Sequence, residues 1–422
     1  MFSNHPCFNE LVRHRAGRVH LPVAGRCNVQ CNYCNRKYDC VNESRPGVTS
    51  VVLDTFQALR YLDSVISDLS DVSVIGIAGP GDPFADSEVT LRTMEFVGKK
   101  YPDKILCIAT NGLGLSECMD RVAGLNISHV TVTVNAIDPE IGAKIYAWVR
   151  LGNKVYRGVD GAKILFERQA ASICGLKSYG ITVKVNTVVI PGINYDHVLS
   201  VSRFCGEVGV DIQNCIPLAS VEGAVFADKV VPTAAEMLEL RKVAQSYVPQ
   251  MTHCSRCRSD AVGLLGNDNG FEINRLLREA AIIRPTLECP NVAVATREGL
   301  FVNRHLGEAE VLCVFGERNG KIVLLEQRPT PQRGLGDLRW RKLAEDFGDC
   351  VVLLVSGCGE NPRRVLAECG LSVVEVDGLI SELVPCIFAG KELPKALLKA
   401  PSSCGVGGCG SVGCKGSGYG CS

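Results

Sequence analysis

Arg26-Cys27-Asn28-Val29-Gln30-Cys31-Asn32-Tyr33-Cys34 places three thiols at C-x3-C-x2-C spacing directly after the strand-like run Val19–Ala24. From Val19 to Leu218 short β-branched runs alternate with helical stretches. Val72–Ala78, Ile105–Thr110, His129–Asn135, Ile181–Ile190 and Val210–Pro217 read as strands. Between them, Asp54–Leu69 reads as a helix capped by Asp54, with Phe56, Leu59, Leu62, Ile66 and Leu69 as its apolar stripe. Such alternation implies an α/β fold with a parallel sheet built from right-handed βαβ units. About six units predict a partial (β/α)6 barrel, with its working site at the C-terminal ends of the strands.

Three thiolates on a tight loop suit three irons of a [4Fe–4S] cubane and leave the fourth iron open. An open iron can chelate the amino and carboxylate groups of S-adenosylmethionine (SAM). An electron passed into the sulfonium then cleaves a C–S bond and gives a 5′-deoxyadenosyl radical. The competing reading, a zinc knuckle, wants four ligands, often as paired C-x2-C units. The loop position and the barrel pattern behind it favour the radical chemistry, which makes Cys27, Cys31 and Cys34 the catalytic thiols.

Gly79-Pro80-Gly81-Asp82-Pro83 follows the strand ending near Ala78. Glycines there let the backbone approach a ligand, and Asp82 can accept from its ammonium group; a plain tight turn would look the same. In VTVTVN, Thr131, Thr133 and Asn135 share one face and the valines the other. In ITVKVN, Thr182, Lys184 and Asn186 repeat the arrangement. Inward polar residues need partners, supplied either by a polar cofactor or by one another. Tyr33, Gly79, Gly81, Asp82, Thr133, Asn135 and Asn186 are the residues expected to contact SAM.

A second set of ligand types surrounds the first. Cys7 stands in HPC, His20 precedes Cys27, Cys40 follows Cys34, Cys107 lies on a strand and Cys254-x2-Cys257 sits in HCSRC. A lone His or strand Cys is more often structural than ligating. The C-x2-C pair differs, because both thiolates can hold one metal or cluster. Together these residues can support two further iron–sulfur clusters, and spacing does not assign ligands to them.

The 422 residues include 22 cysteines and equal numbers of acidic and basic side chains, 45 each. Zero net charge argues against nucleic acid or anionic lipid as partner. No apolar leader opens Met1–Arg18 and no run of eighteen uncharged apolar residues occurs, so a cytoplasmic, membrane-free protein is expected. In a reducing compartment, closely spaced thiols are metal ligands or catalytic groups. Cys174, Cys205, Cys313 and Cys369 lie in apolar surroundings and are expected to pack as small hydrophobes.

Pro285 and Pro290 bracket a linker, Arg284–Asn291, which divides a domain over 1–285 from a second over 291–400. In the second, Val292–Thr296, Glu310–Glu317, Lys321–Glu326, Val351–Val355 and Ser372–Val376 read as strands of a compact three-layer unit. Residues 401–422 are Gly, Ser and Cys with little to bury, a flexible Gly/Cys-rich tail.

HPCFNE, RCNVQCNYCNRKYDC through NESRPG, IAGPGDP, ATNGL, VTVNAIDPEIGAKIY, KVNTVVIPGIN and THCSRCRSDAVGLLG resemble the NifB family of nitrogenase cofactor maturases. The resemblance runs through most of Asn4–Gly266 and implies an enzyme that fuses two [4Fe–4S] clusters into an [8Fe–9S–C] precursor of the iron–molybdenum cofactor. One SAM would give the methyl group that becomes the carbide, and a second the radical that abstracts hydrogen from it. The same resemblance assigns Cys7, His20 and Cys107 to the first substrate cluster. It assigns Cys40, Cys254 and Cys257 to the second, with Glu43 as a weak oxygen ligand. Implied partners are an iron–sulfur cluster donor, an electron donor such as a ferredoxin or flavodoxin, and cofactor carrier or scaffold proteins. VAVATREGLFVNRHLGEAE resembles the opening of a NifX-type cofactor-binding domain of ribonuclease-H-like fold, with His305, Cys350 and Cys358 as ligand candidates or, for the cysteines, core residues. In the tail, Cys404, Cys409, Cys414 and Cys421 suit either cluster or zinc binding or an unstructured end. Two other functions compete: a radical SAM enzyme with an auxiliary cluster acting on a small molecule or peptide, and a metallocluster carrier.

Overall fold

The computed structural model describes residues 5–12, 14–35, 51–69, 71–252, 261–264, 270–391 and 393–398. The chain divides into two compact units, Met1–Arg278 and Glu279–Ser422.

In the first unit the strands are β1 (Gly17–His20), β2 (Val29–Cys31), β3 (Val72–Ile77), β4 (Ile105–Thr110) and β5 (Ile127–Thr133). They continue with β6 (Tyr146–Leu151), β7 (Lys154–Tyr156), β8 (Thr182–Val189), β9 (Ile212–Pro217) and β10 (Val262–Gly263). The main sheet has the order β10-β1-β3-β4-β5-β8-β9. Its six strands from β1 to β9 are parallel, and β10 closes the β1 edge antiparallel. This is the partial (β/α)6 barrel. Strands covered on both faces must be apolar almost throughout, and Val74, Ile75, Ile77, Val130, Val132, Val183 and Val185 are fully buried.

The helix Thr55–Asp68 begins with a capping box. The Asp54 carboxylate accepts from the Phe56 and Gln57 backbone amides at 2.9 and 2.8 Å, and Gln57 Oε1 accepts from the Asp54 amide at 2.9 Å. Its buried face centres on Ala58, Tyr61, Leu62 and Val65. That is rotated from the predicted stripe, because Phe56 turns towards Phe96 of the next helix, Ser87–Lys100, at 5.7 Å between rings.

A separate three-stranded antiparallel sheet, β2-β6-β7, carries the thiol loop. It was not legible as strand pattern, since β2 is three residues long and lies inside the cysteine motif.

The second unit contains β11 (Asn291–Val294), β12 (Val311–Arg318), β13 (Lys321–Pro329), β14 (Cys350–Val355) and β15 (Ser372–Glu375) in the order β13-β12-β11-β14-β15. The first three pair antiparallel and the last two join β11 in parallel, the ribonuclease-H-like arrangement. Alternate residues face opposite layers. Ala293, Leu353 and Val355 pack with Trp340, Leu343 and Leu366 of the helices Asp337–Asp346 and Glu360–Glu368. Val292, Val294, Val352 and Leu354 pack with Leu383, Val384 and Ile387 of Ile380–Phe388. Cys205 and Cys313 are buried as expected, but Cys174, on the outer side of the helix Gly158–Ser178, and Cys369, the cap that ends Glu360–Glu368, are exposed. No helix among the described residues is long and apolar enough to cross a membrane.

Candidate functional site

The segment before the thiol loop is stitched to the Gly-Pro-Gly-Asp-Pro turn. Ala24 bridges Pro80 in parallel, the Gly81 amide donates to the Ala24 carbonyl at 2.5 Å, and the Asp82 amide donates to the Arg26 carbonyl at 2.6 Å. A Cβ on residue 81 would stand 2.0 Å from the Arg26 carbonyl oxygen, so the approach requires glycine. The Asp82 carboxylate is buried and accepts four hydrogen bonds from three donors. These are the Phe84 amide at 2.9 Å, Thr110 Oγ1 at 2.9 and 3.0 Å, and the Asn111 amide at 2.5 Å. Burial raises its pKa and the hydrogen bonds oppose the rise.

Within the loop, Gln30 Nε2 donates to the Cys31 and Cys34 carbonyls at 3.0 and 2.9 Å. Asn111 Nδ2 donates to Asn28 Oδ1 at 2.7 Å and lies 3.8 Å from Cys27 Sγ. The loop is thus fixed by its own glutamine and by the end of β4.

A cavity opens beside it at the C-terminal ends of the strands. Of the residues expected to meet SAM or its cluster, Cys27, Cys31, Tyr33, Gly81, Asp82, Thr133 and Asn135 line this cavity; Cys34, Gly79 and Asn186 are not among its lining residues. The wall is largely self-satisfied. Asn135 Nδ2 donates to Tyr33 Oη at 2.8 Å, and its Oδ1 accepts from the Val188 amide at 2.8 Å. Gln169 Nε2 donates to the Thr133 and Asn111 carbonyls at 2.7 and 3.0 Å. Asn186 Oδ1 accepts from Asn214 Nδ2 at 3.4 Å. Tyr146, the cross-strand partner of Cys31, also lines the cavity. Burial, then the charge of Cys31, pushes its phenol pKa up.

A second group gathers inside the barrel. His20, Gly76, Cys107 and His129 are successive register partners across β1, β3, β4 and β5. Neighbours in a parallel sheet point the same way, and Gly76 lets the two flanking side chains close over it: a Cβ there would stand 2.7 Å from Cys107 Sγ and 2.8 Å from His20 Cδ2. The His129 ring meets His5 and Phe8, each at 4.7 Å, and Lys184 Nζ lies 5.5 Å from the Phe8 ring centre. Cys7 is buried in the same turn, its amide donating to His5 Nδ1 at 3.2 Å. Burial first, then the nearby His129, Lys184, His20 and Arg18, holds His5 well below the ordinary imidazole range. His129 is pushed down to about 4, mainly by burial. The structure therefore brings His20 and Cys107 together and sets the Cys7 turn beside them.

Cys40, Glu43, Cys254, Cys257 and the four tail cysteines lie outside the described residues. Among the described residues no three His, Cys, Asp or Glu side chains gather as for a single metal ion. The ligands of a cubane differ in kind, each thiolate binding its own iron. One loop bearing three cysteines, two of them facing a cavity at the strand ends, is of the kind that holds a cluster beside SAM. In the second unit, His305 pairs with Gly357, its Nδ1 accepts from the Gly307 amide at 3.1 Å, and Cys350 and Cys358 are buried.

Sequence reasoning missed Asn111, Gln169 and Tyr146. Gln169 carried a signal, being a polar residue at helical spacing from the buried Leu165, Ser172 and Ile173. Tyr146 carried none, because its position depends on the pairing of β2 with β6.

Residues 21–205 match the Radical SAM superfamily, and residues 289–390 match the family described as Dinitrogenase iron-molybdenum cofactor. The chain is 46% identical to the FeMo cofactor biosynthesis protein NifB of Chlorobaculum tepidum, over 99% of both chains. It is 38% identical to that of Frankia alni over 92% of this chain and 88% of the relative. With that of Klebsiella pneumoniae it shares 37% identity over 90% of this chain and 89% of the relative.

Proposed function

This chain belongs to the NifB family of FeMo cofactor biosynthesis proteins and carries its radical SAM domain, and from that premise we propose that it builds the nitrogenase cofactor core by cluster fusion. Two [4Fe–4S] clusters are its substrates. With a carbide derived from SAM and an added sulfide they become the [8Fe–9S–C] precursor.

In this reading Cys27, Cys31 and Cys34 hold the SAM-binding cluster. When bound, that cluster supplies the electron that cleaves SAM to a 5′-deoxyadenosyl radical. Gly79, Gly81 and Asp82 shape the rim through backbone approach, and Tyr33, Thr133 and Asn135 present the polar wall, with Asn186 behind. Cys7, His20 and Cys107 hold one substrate cluster, and Cys40, Cys254 and Cys257, with Glu43, the other. Few protein ligands per substrate cluster suit cargo that must fuse and leave, and a hard carboxylate on iron exchanges more readily than a thiolate. The second unit receives or passes on the product. A cluster donor, an electron donor of the ferredoxin or flavodoxin kind and carrier proteins complete the system in the cytoplasm.

The observation that supports this most is the row His20–Gly76–Cys107, which packs a thiol and an imidazole, both of a kind that can ligate iron, against the bare Cα of Gly76 in the same sheet whose strand ends carry the cavity beside the thiol loop. The test is iron quantification with EPR on the reconstituted chain, before and after SAM and reductant. About twelve irons per chain are expected, from three cubanes, with both S-adenosylhomocysteine and 5′-deoxyadenosine formed. Deoxyadenosine without S-adenosylhomocysteine would sink the fusion reading and favour a radical enzyme acting on another substrate.

A further inference from the structure

The SAM cavity contains one polar group that its wall does not satisfy. Tyr146 is 6% exposed, and its hydroxyl has no hydrogen-bond partner among the described residues. A buried hydroxyl left so costs about 1–3 kcal/mol, and a ligand in the cavity would remove that cost.

The neighbours of the phenol fix the direction of the missing bond. Asn135, through its side-chain and backbone N–H, and Gln169 face the phenol oxygen without reaching hydrogen-bond geometry. Both are already committed more closely elsewhere, Asn135 to Tyr33 and Gln169 to two carbonyls. With amide donors facing its lone pairs, the phenol is left with a hydrogen to give. The side chain is also rigidly placed. Its backbone pairs with Cys31 across β2 and β6, and Ile145, next in sequence, receives the Asn32 amide at 2.8 Å. The ring packs in the same apolar cluster as Val29, Tyr33 and Leu165.

We propose that the Tyr146 hydroxyl donates a hydrogen bond to an acceptor oxygen of SAM, in its carboxylate or ribose, and so positions the molecule beside Cys27 and Cys31. Tyr146 is then a SAM-binding residue, supplied by an antiparallel strand outside the barrel. The inference rests on SAM occupying this cavity and not on the fate of the substrate clusters.

The test is Tyr146→Phe in the full-length, reconstituted chain, with SAM itself as the probe. Equilibrium binding and the EPR signal of the reduced cluster are read with and without SAM. Iron content and the SAM-free EPR signal should match wild type, while Kd for SAM rises about fivefold to tenfold, as for loss of one neutral hydrogen bond. An unchanged Kd overturns the proposal. So does a changed SAM-free signal or a lower iron content, either of which would give the hydroxyl to the Cys31 thiolate or the cluster loop. Cys7→Ser keeps the two claims apart. It should leave the SAM Kd unchanged, whereas failure of the fusion reading would show in its iron count.

Discussion

Asp82→Asn replaces one acceptor oxygen with an amide that must face the backbone N–H of Phe84 or of Asn111, where only an acceptor fits. Hydrogen bonds to a charged group contribute about 1.5–3 kcal/mol each, so urea denaturation should show the first unit weakened by roughly 2 kcal/mol. SAM binding should weaken with it, because the turn that Asp82 fixes also holds Arg26, next to Cys27. A variant as stable as wild type would remove Asp82 from this role. At this scale the sequence was informative about residue identity and silent about duty. The motif marked Asp82 as a site residue, but only the fold shows Thr110 and Asn111 reaching back to it from β4. Thr133 and Asn135 were legible because a strand alternates its faces. Tyr146 was not, since nothing local ties it to Cys31.

At the scale of elements, the parallel register decides which distant residues meet. Gly76→Ala puts a methyl group where His20 and Cys107 now approach each other. If His20 and Cys107 hold a substrate cluster, displacing them should cost the variant about four irons per chain while SAM still perturbs the EPR signal of the triad's cluster. Full iron content would count against cluster binding there. The five barrel strands read from the sequence recur within a few residues of their predicted bounds, because β3 and β4 are near-continuous apolar runs and β5 and β8 alternate valines with inward polar residues. The helix Thr55–Asp68 was placed by its cap, yet its stripe was misjudged. Periodicity finds an apolar face but not the competing pull of a neighbouring helix, here on Phe56.

The chain forms two compact units, the first with a seven-stranded and a three-stranded sheet, the second with a five-stranded one. In the second, Arg328 donates to both Asp349 oxygens at 2.6 and 3.0 Å, and Asn291 adds a third bond at 2.8 Å. These partners, the Arg328 guanidinium foremost, hold the Asp349 carboxyl down to about 2. The folded pKa lies below the unfolded value, so its stabilisation is present above about pH 4 and is lost as pH falls towards 2. The pair is partly exposed, so Asp349→Asn should cost only about 1 kcal/mol at neutral pH. It should flatten the acid limb of that unit's denaturation curve between pH 4 and 2; an unchanged limb would mean the pair is screened out. The Pro-flanked segment 284–291 was expected to divide the chain, whereas the compact units divide between Arg278 and Glu279, and the small β2-β6-β7 sheet was not legible.

The two-residue strand β10 closes the edge of β1, pairing Val262 with Val19. In a chain made from its amino end, β1 and the thiol loop emerge long before β10. At 5–20 residues per second the roughly 240 intervening residues take about 12–50 s. Through that interval the first barrel strand keeps an open hydrogen-bonding edge, the kind of surface on which chains pair wrongly. The shortest strand of the sheet is therefore the one whose late arrival ends the nascent protein's exposure to misassembly.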